Sequence, residues 1–465
     1  MSTAPNVSLE SLRLAGREPS LPFALSLPDG GRLEFTRLLR LLPGKRLAGL
    51  ARWNDEPAFA KLFIGAQAIR HGERERAGLA ALAAAGLPTP ALRFAGPTGE
   101  GGYLVLTEFL DGASALGELP TSPQEPQPVL SAMRLLGRLH EAGLVQHDPH
   151  FGNFLRHDGQ LLMIDGDGVR ADPSASGQLA NLARLLAELE PVWDGQRQQL
   201  LQAWGRQADA KALDAAVLTA RQRRLRHSIA KTVRDCSQFV VQKTFRRFTA
   251  ALREPWPALQ TLLADPDAAM AAGQCLKDGN TCTVAAIEAA GKTLVVKRYN
   301  LKNWRHALSR AWRPSRAWHS WQTAHRLDFY GIATPRALAL IEERRGALRG
   351  RAFFIAEHCP GPNLLTLLAP SREPEPAIQQ ALRELFELLY RLRITHGDLK
   401  ASNLLWHAGR IVLIDLDALT EHRSASTFAR AWRRDRERLL RNWPADSALV
   451  RWLERALPGY SISNS

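Results

Sequence analysis

Cysteine is scarce in this chain. Its four residues, Cys236, Cys275, Cys282 and Cys359, form no CxxC pair and have no histidine-rich neighbour. That spacing disfavours a disulfide framework and a zinc site, and the thiols read as reduced core residues of a cytosolic protein. Long apolar runs are missing too. No stretch approaches the roughly 18 uninterrupted apolar residues of a membrane span, and MSTAPNVSLESLRLAGREPS lacks the basic segment and apolar core of a secretory signal. Work on a lipid would therefore be done from the surface. Acidic residues are in deficit, 46 Asp and Glu against 61 Lys and Arg. The net charge of +15 implies an anionic partner: nucleotide phosphates, an anionic lipid surface or nucleic acid. With 45% hydrophobic and 23% charged residues, the 465-residue chain has the composition of a globular protein with room for two or three domains.

The most informative stretch is ITHGDLKASNLLWHAGRIVLIDLD, residues 394–417. A loop carrying His396, Asp398, Lys400 and Asn403 leads into two short apolar strands, 403–406 and 410–414, and then Asp415. A hairpin of this kind brings both ends of its strands to one place. One carboxylate (Asp398) and an amide with a second carboxylate (Asn403 and Asp415) then share a site. Kinase-type phosphotransfer needs that set: the first carboxylate orients the attacking hydroxyl, and the other two groups hold Mg²⁺ on the phosphates. A polar turn before a strand would read similarly, but the pattern occurs twice. HDPHFGNFLRHDGQLLMIDGD, residues 147–167, repeats it, with Asp148, Asn153 and Asp165 each 250 positions before Asp398, Asn403 and Asp415. A period this long means two copies of a whole domain, not a solenoid.

The first copy is expected over residues 20–255. AFAKLF is an alternating strand with Lys61 inside it, an unusual place for lysine unless an anion is near. The helix GERERAGLAALAAAG follows, and Glu75 on it is expected to pair with Lys61, with Glu73 as the competing residue. GGYLVLTEFLDG gives a strand ending at Glu108 in a connector suited to a hinge, where backbone groups would meet an adenine edge. Gly44 and Gly49 fit either a phosphate-covering turn or a plain β-turn. In RQRRLRHSIAKTVRD, the recurrence of Leu225, Ile229 and Val233 predicts one buried helix face, with the arginines solvated or facing an acidic substrate.

The second copy is expected over 265–465, with Lys297 in the place of Lys61 and Glu357 in the place of Glu108. One correspondence fails: the position of Glu75 is Ser320, and no acid lies near it. The preceding segment is dense in tryptophan and arginine (Trp304, Arg305, Arg310, Trp312, Arg313, Arg316, Trp318, Trp321). A helix packed between the two copies is the first reading, a membrane surface the second and nucleic acid the third. FARAWRRDRERLLRNW reads as a basic helix with a solvated face. The catalytic loops also differ. Lys400, two residues after Asp398, would neutralise a transferring phosphoryl group, and its equivalent in the first copy is His150.

A lysine in a strand, G-x-x-x-P, H-x-D-x-x-x-x-N and I-D-x-D, carried most strongly by HGDLKASNLL and LIDLDAL, resemble the bacterial lipopolysaccharide core (Kdo/heptose) kinase family, WaaP/InaA-like, in two tandem copies. The resemblance implies an α+β fold of two protein-kinase-like domains, each with a small β-rich N-lobe and a mainly helical C-lobe. It implies ATP, Mg²⁺, and transfer to a sugar hydroxyl of the lipopolysaccharide inner core, heptose or Kdo, at the cytoplasmic face of the inner membrane. The acceptor would be the core or another anionic lipid-linked sugar; nucleic acid is disfavoured. Asp398, Lys400 and Asp148 would be catalytic. Lys297, Lys61, Glu75, Glu108 and Glu357 would serve the nucleotide, and Asn403, Asp415, Asn153 and Asp165 the metal. A protein or aminoglycoside-type small-molecule kinase, or a non-catalytic scaffold of degenerate copies, are the alternatives.

Overall fold

The computed structural model describes residues 4–28, 30–118, 122–300, 314–346 and 348–459. The chain divides into two compact units between Gln222 and Arg223.

The first unit opens with a six-stranded antiparallel sheet. Its spatial order is Phe23–Ser26, Arg32–Leu42, Arg46–Trp53, Glu56–Phe63, Tyr103–Glu108, Leu92–Pro97. Strand alternation sorts the side chains between two faces. In Glu56–Phe63, Ala60 and Leu62 join the sheet's apolar core with Phe35, Leu47 and Leu106, which leaves Phe59 and Lys61 on the opposite face. The helix Leu9–Leu14 adds Leu9 and Leu12 to that core, so this unit begins before the expected residue 20.

The helix Ala68–Ala84 follows and stops at Gly86, whose φ of +65° closes the end while Leu87 N–H donates to the Leu82 carbonyl at 3.0 Å. A mainly helical part completes the unit. The helices Gln127–Glu141, Ala175–Leu186 and Arg197–Trp204 bury Met133, Leu136, Leu182, Leu186 and Trp204 together.

The second unit has a seven-stranded antiparallel sheet, ordered Phe239–Lys243, Arg247–Leu252, Ala337–Arg345, Leu348–Glu357, Lys292–Tyr299, Cys282–Ala289, Gln274–Gly279. Its helical part includes Pro376–Arg391 and Ala425–Leu440, with Leu382, Phe386, Phe428 and Trp432 in its core.

The expected boundary between 255 and 265 is corrected by the hairpin 239–252. Its second strand pairs with Ala337–Arg345, Ala250 opposite Leu340, so it is an added edge of the second sheet. The basic helix Ala210–Lys231 spans the true boundary. Leu213 and Val217 belong to the first core, and Leu225 and Ile229 to the second. No signal in residues 223–252 separates a strand pair that ends one domain from one that starts the next.

Candidate active site

In the first unit, the face of the sheet that carries Lys61 looks onto a cavity of about 630 Å³, also lined by Glu75, Glu108, Asn153 and Asp165. Lys61 Nζ donates to Glu75 Oε1 at 2.6 Å and to Asp165 Oδ1 at 3.1 Å. Burial alone would lower the lysine's pKa, but the two carboxylates overrule it and the value is raised. Asp165 moves the opposite way: burial would raise it, and Lys61 and Arg46 hold it below the ordinary aspartate value.

Glu75 is 1% exposed and also accepts the N–H groups of Gly166 (3.2 Å) and Asp167 (3.0 Å). Glycine makes this approach possible. A Cβ on Gly78 would lie 1.9 Å from the Gly166 carbonyl oxygen, so the helix can rest on the turn after Asp165 only without one. The competing Glu73 accepts from Tyr103 Oη at 2.5 Å and pairs with Arg76 at 2.9 Å, away from Lys61.

In the second unit a cavity of about 520 Å³ is lined by Lys297, Ser320, Glu357, Asn403, Asp415 and Asp417. Lys297 Nζ lies 2.5 Å from Asp415 Oδ1 and 2.9 Å from Asp417 Oδ1. The acid missing from the helix is thus supplied by the second aspartate of I-D-x-D. Tyr299 Oη (2.5 Å) and Ser320 Oγ (2.9 Å) donate to the same Asp417 oxygen. Here too burial alone would lower the lysine's pKa, and Asp417 with Asp415 raises it.

In both units the strand pair of the hairpin after the loop is prolonged by one bond, Ile164 N–H to Asn153 O at 2.9 Å and Ile414 N–H to Asn403 O at 3.1 Å. This sets each asparagine across from the residue before the aspartate. Asp165 (φ 75°) and Asp415 (φ 60°) both take the left-handed conformation that non-glycine residues seldom adopt. Each asparagine donates through Nδ2 to the backbone carbonyl of the catalytic-loop aspartate, Asn153 to Asp148 O at 3.1 Å and Asn403 to Asp398 O at 2.8 Å. The amide oxygens remain for a cation.

One carboxylate and one amide oxygen fit Mg²⁺, which takes few protein ligands and completes its shell with phosphate and water. Among the described residues no group of three or more His, Cys, Asp or Glu could hold a metal, so a cation here would need the nucleotide's own oxygens.

The loop aspartates differ. Asp398 accepts from Lys400 Nζ at 2.9 Å and from an Arg438 guanidinium nitrogen. Burial would raise its pKa; the two cations outweigh that and lower it. Asp148 is exposed, and no described cation pairs with it. Buried polar groups on the next helix anchor both loops. Asp435, 3% exposed, accepts the N–H groups of His396 (2.6 Å) and Gly397 (3.0 Å). In the first unit Asn181 accepts from Gln146 N–H at 3.3 Å and donates to Gln146 O at 2.5 Å.

Asp435 and Arg438 lie in the basic helix read as a solvated face, and that reading is corrected. The helix buries Phe428, Trp432, Asp435 and Leu439, and the 3.6-residue spacing of Phe428, Trp432 and Leu439 was the signal that could have placed Asp435 on the inner face.

Glu108 and Glu357 line the two cavities, and their carboxylates already have partners within the protein. Glu108 accepts from Ala91 N–H at 2.9 Å, and Glu357 pairs with Lys292 at 2.8 Å and Arg336 at 3.6 Å. Of the tryptophan- and arginine-rich segment, 302–313 lies outside the described residues. Trp321 is buried in the second core with Nε1 donating to Thr232 O at 3.1 Å, and Trp318 packs on Phe248 with Arg349 over its ring, so the described part of the segment packs inside the second unit and the expected place between the copies is corrected.

A sheet lobe and a helical lobe, with a strand lysine paired to the aspartate that follows a short hairpin, make up the fold of a protein-kinase-like phosphotransferase. Residues 269–455, all within the second unit, match the lipopolysaccharide kinase (Kdo/WaaP) family. The human serine/threonine-protein kinase RIO3 is 33% identical over 70 residues, 15% of this chain and 14% of that protein. The chain therefore spans only a small part of this curated relative. Among solved structures, WaaP in complex with acyl carrier protein aligns at 20% identity over 40% of this chain and 86% of that one, with a TM-score of 0.33. Vaccinia related kinase 3 aligns at 14% identity over 35% and 56%, with a TM-score of 0.26.

Proposed function

We propose that this protein uses ATP and Mg²⁺ to phosphorylate a sugar hydroxyl of the lipopolysaccharide inner core, a heptose or Kdo, and that the second unit performs the transfer. The first unit is read as a second copy of the same kinase-like domain. The observation that carries this reading is Asp398, kept ionised between Lys400 and Arg438 on the loop that Asn403 ties to the Asp415 cavity.

In this scheme Asp398 accepts a hydrogen bond from the acceptor hydroxyl and aligns it for in-line attack. Lys400 stabilises the charge on the moving phosphoryl group. Lys297, held by Asp415 and Asp417, meets the nucleotide's phosphates, and Asn403 with Asp415 would hold the metal. Bound Mg²⁺ would neutralise the phosphate oxygens. The family match supports a lipopolysaccharide acceptor, and the net charge of +15 suits an anionic lipid-linked sugar approached at the inner face of the membrane. No described helix is long and apolar enough to cross a membrane, so contact with the bilayer would be peripheral. A protein acceptor is the second reading, favoured by the match to RIO3.

The test is ATP turnover in Asp398→Ala and Asp148→Ala, together with the phosphate content of core oligosaccharide from cells with and without the protein. Loss of turnover in Asp398→Ala alone and a lowered core phosphate are expected. Unchanged core phosphate with retained turnover would move the assignment to the protein acceptor, and full turnover in Asp398→Ala would remove it from the second unit.

A further inference from the structure

We propose that the first unit's cleft is a standing binding site for a ligand carrying two or more phosphate groups, gripped by Arg37, Arg40, Arg46 and Lys61, and is not a place of transfer. This rests on the reading that Asp398 does the chemistry.

The strand Arg32–Leu42 is irregular in two places. Its register against Arg46–Trp53 shifts between Phe35 and Arg37 and again between Leu38 and Arg40. In a regular strand, residues three apart point to opposite faces. The second shift puts Arg37 and Arg40 on the same side, and both line the 630 Å³ cavity with Arg46 and Lys61. Bulges of this kind re-aim side chains beside active sites. Gly49 is what the bulged strand rests on: a Cβ there would lie 2.0 Å from the Arg37 carbonyl oxygen.

The carboxylates of this cavity are already committed. Glu75 and Asp165 are held by Lys61, Glu108 by Ala91 N–H and Asp111 by Gly112 N–H. No carboxylate among the described residues forms a salt bridge with Arg37, Arg40 or Arg46; Arg46 acts on Asp165 only from a distance, and its Nε is buried without a hydrogen-bond partner. Guanidinium groups converging on a cleft without salt-bridge partners suit an oligophosphate, which offers each arginine two oxygens.

The loop below is poor in what transfer requires. Asp148 has neither cation that flanks Asp398. His150 stands at the place of Lys400, and Arg184 of the following helix donates to His147 O at 2.9 Å. The cleft is thus equipped to hold phosphates and unequipped to move one.

The experiment uses the full chain with Lys297→Met, which disables the second cleft, and titrates it calorimetrically with ATP, inorganic tripolyphosphate and fructose 1,6-bisphosphate. We expect one site per chain, and a loss of at least about tenfold in affinity on adding Arg37→Ser and Arg40→Ser. Arg52→Ser, on the neighbouring strand and outside the cavity, should leave binding unchanged. ATP binding far more tightly than tripolyphosphate names a nucleoside triphosphate as the ligand, equal binding names the phosphate chain alone, and preference for the bisphosphate names a phosphorylated sugar. Absence of binding by all three probes, or binding indifferent to the two serine substitutions while the melting temperature is unchanged, would overturn the proposal. So would ATP turnover that survives Asp398→Ala and is lost in Asp148→Ala. The serine pair should leave turnover at Asp398 intact, so failure here is distinct from failure of the proposed kinase activity.

Discussion

Lys297 takes its second carboxylate from Asp417, 2.9 Å away on the turn after Asp415, where Lys61 of the first unit takes Glu75 from a helix. Packing explains the exchange. Gly78 and Gly166 let the first helix rest on that turn, so a glutamate reaches the lysine while Asp167 turns out to Arg74 at 2.9 Å. The second unit has Thr323 and Leu416 at the corresponding positions, and Ser320 is too short to reach Lys297. Its hydroxyl instead steadies Asp417. Asp417→Asn should therefore raise the KM for ATP by roughly 10- to 100-fold with a smaller change in kcat. Ser320→Glu added to Asp417→Asn should recover most of the loss. Equal KM values with and without Ser320→Glu would reject the exchange.

Asp398 is held below its ordinary pKa by Lys400 and Arg438 against the opposing effect of burial. Removing either cation moves the carboxyl back up. The acid limb of the kcat/KM profile should then shift to higher pH in Lys400→Met and in Arg438→Met. The kcat loss should be larger in Lys400→Met, because in the proposed scheme that lysine also stabilises the transferring group. Profiles of both variants against wild type provide the check, and an unmoved limb in both would mean that Asp398 is not the titrating group.

Asp435 and Asn181 perform one task with different chemistry, accepting backbone N–H groups of the catalytic loop. The acid is 3% exposed and its carboxyl is pushed up by burial. Asp435→Ala leaves the buried His396 N–H unpaired and frees that of the exposed Gly397, a cost of about 1–3 kcal/mol, and should lower both stability and kcat. Asp435→Asn keeps an acceptor oxygen, as Asn181 does, and should retain most of both. Denaturant midpoints and kcat of the two variants distinguish this from a simple charge effect, which would make them equally damaging.

Much of this site was legible because its chemistry is local. The loop, its asparagine and the aspartate after the hairpin fall within 20 residues in each unit, and the Lys61 strand shows its period of two. Glu75 was legible for a similar reason, since a helix following a strand brings its buried face back over that strand. What could not be read depends on distance in sequence. Asp417 acts on Lys297 across 120 positions, and the choice between it and Ser320 turns on whether two backbones can approach. Asp435 and Arg438 were hidden because five arginines in the sixteen residues of that helix mask a buried acid. The domain boundary was missed for a topological reason: the hairpin 239–252 pairs with a strand nearly a hundred residues later, and local pattern does not say which sheet a strand will join.

His140 gives the first unit a pH dependence that its candidate active site does not explain. It is 1% exposed, accepts from Trp204 Nε1 through Nδ1 at 3.0 Å, and meets Asn181 Oδ1 through Nε2 at 3.0 Å. Burial lowers its pKa from 6.5 to about 4; Arg206 acts in the same sense, and Asn181 and Asp172 oppose it. The ring is therefore neutral in the fold, with its proton on Nε2. Between pH 6.5 and about 4 the unfolded chain binds this proton and the folded unit does not, so stability falls as pH falls through that window. The loss reaches on the order of 3 kcal/mol and grows no further below it. Because His140 positions Asn181, and Asn181 the Gln146 backbone, the loosening should begin at the catalytic loop. Protection of amides in the helix Gln127–Glu141 and in the strand Leu144–Gln146, relative to their intrinsic exchange at each pH, should fall across this range in the wild type. In His140→Gln, which cannot titrate, the dependence should flatten, and the same slope in both proteins would assign it to another group.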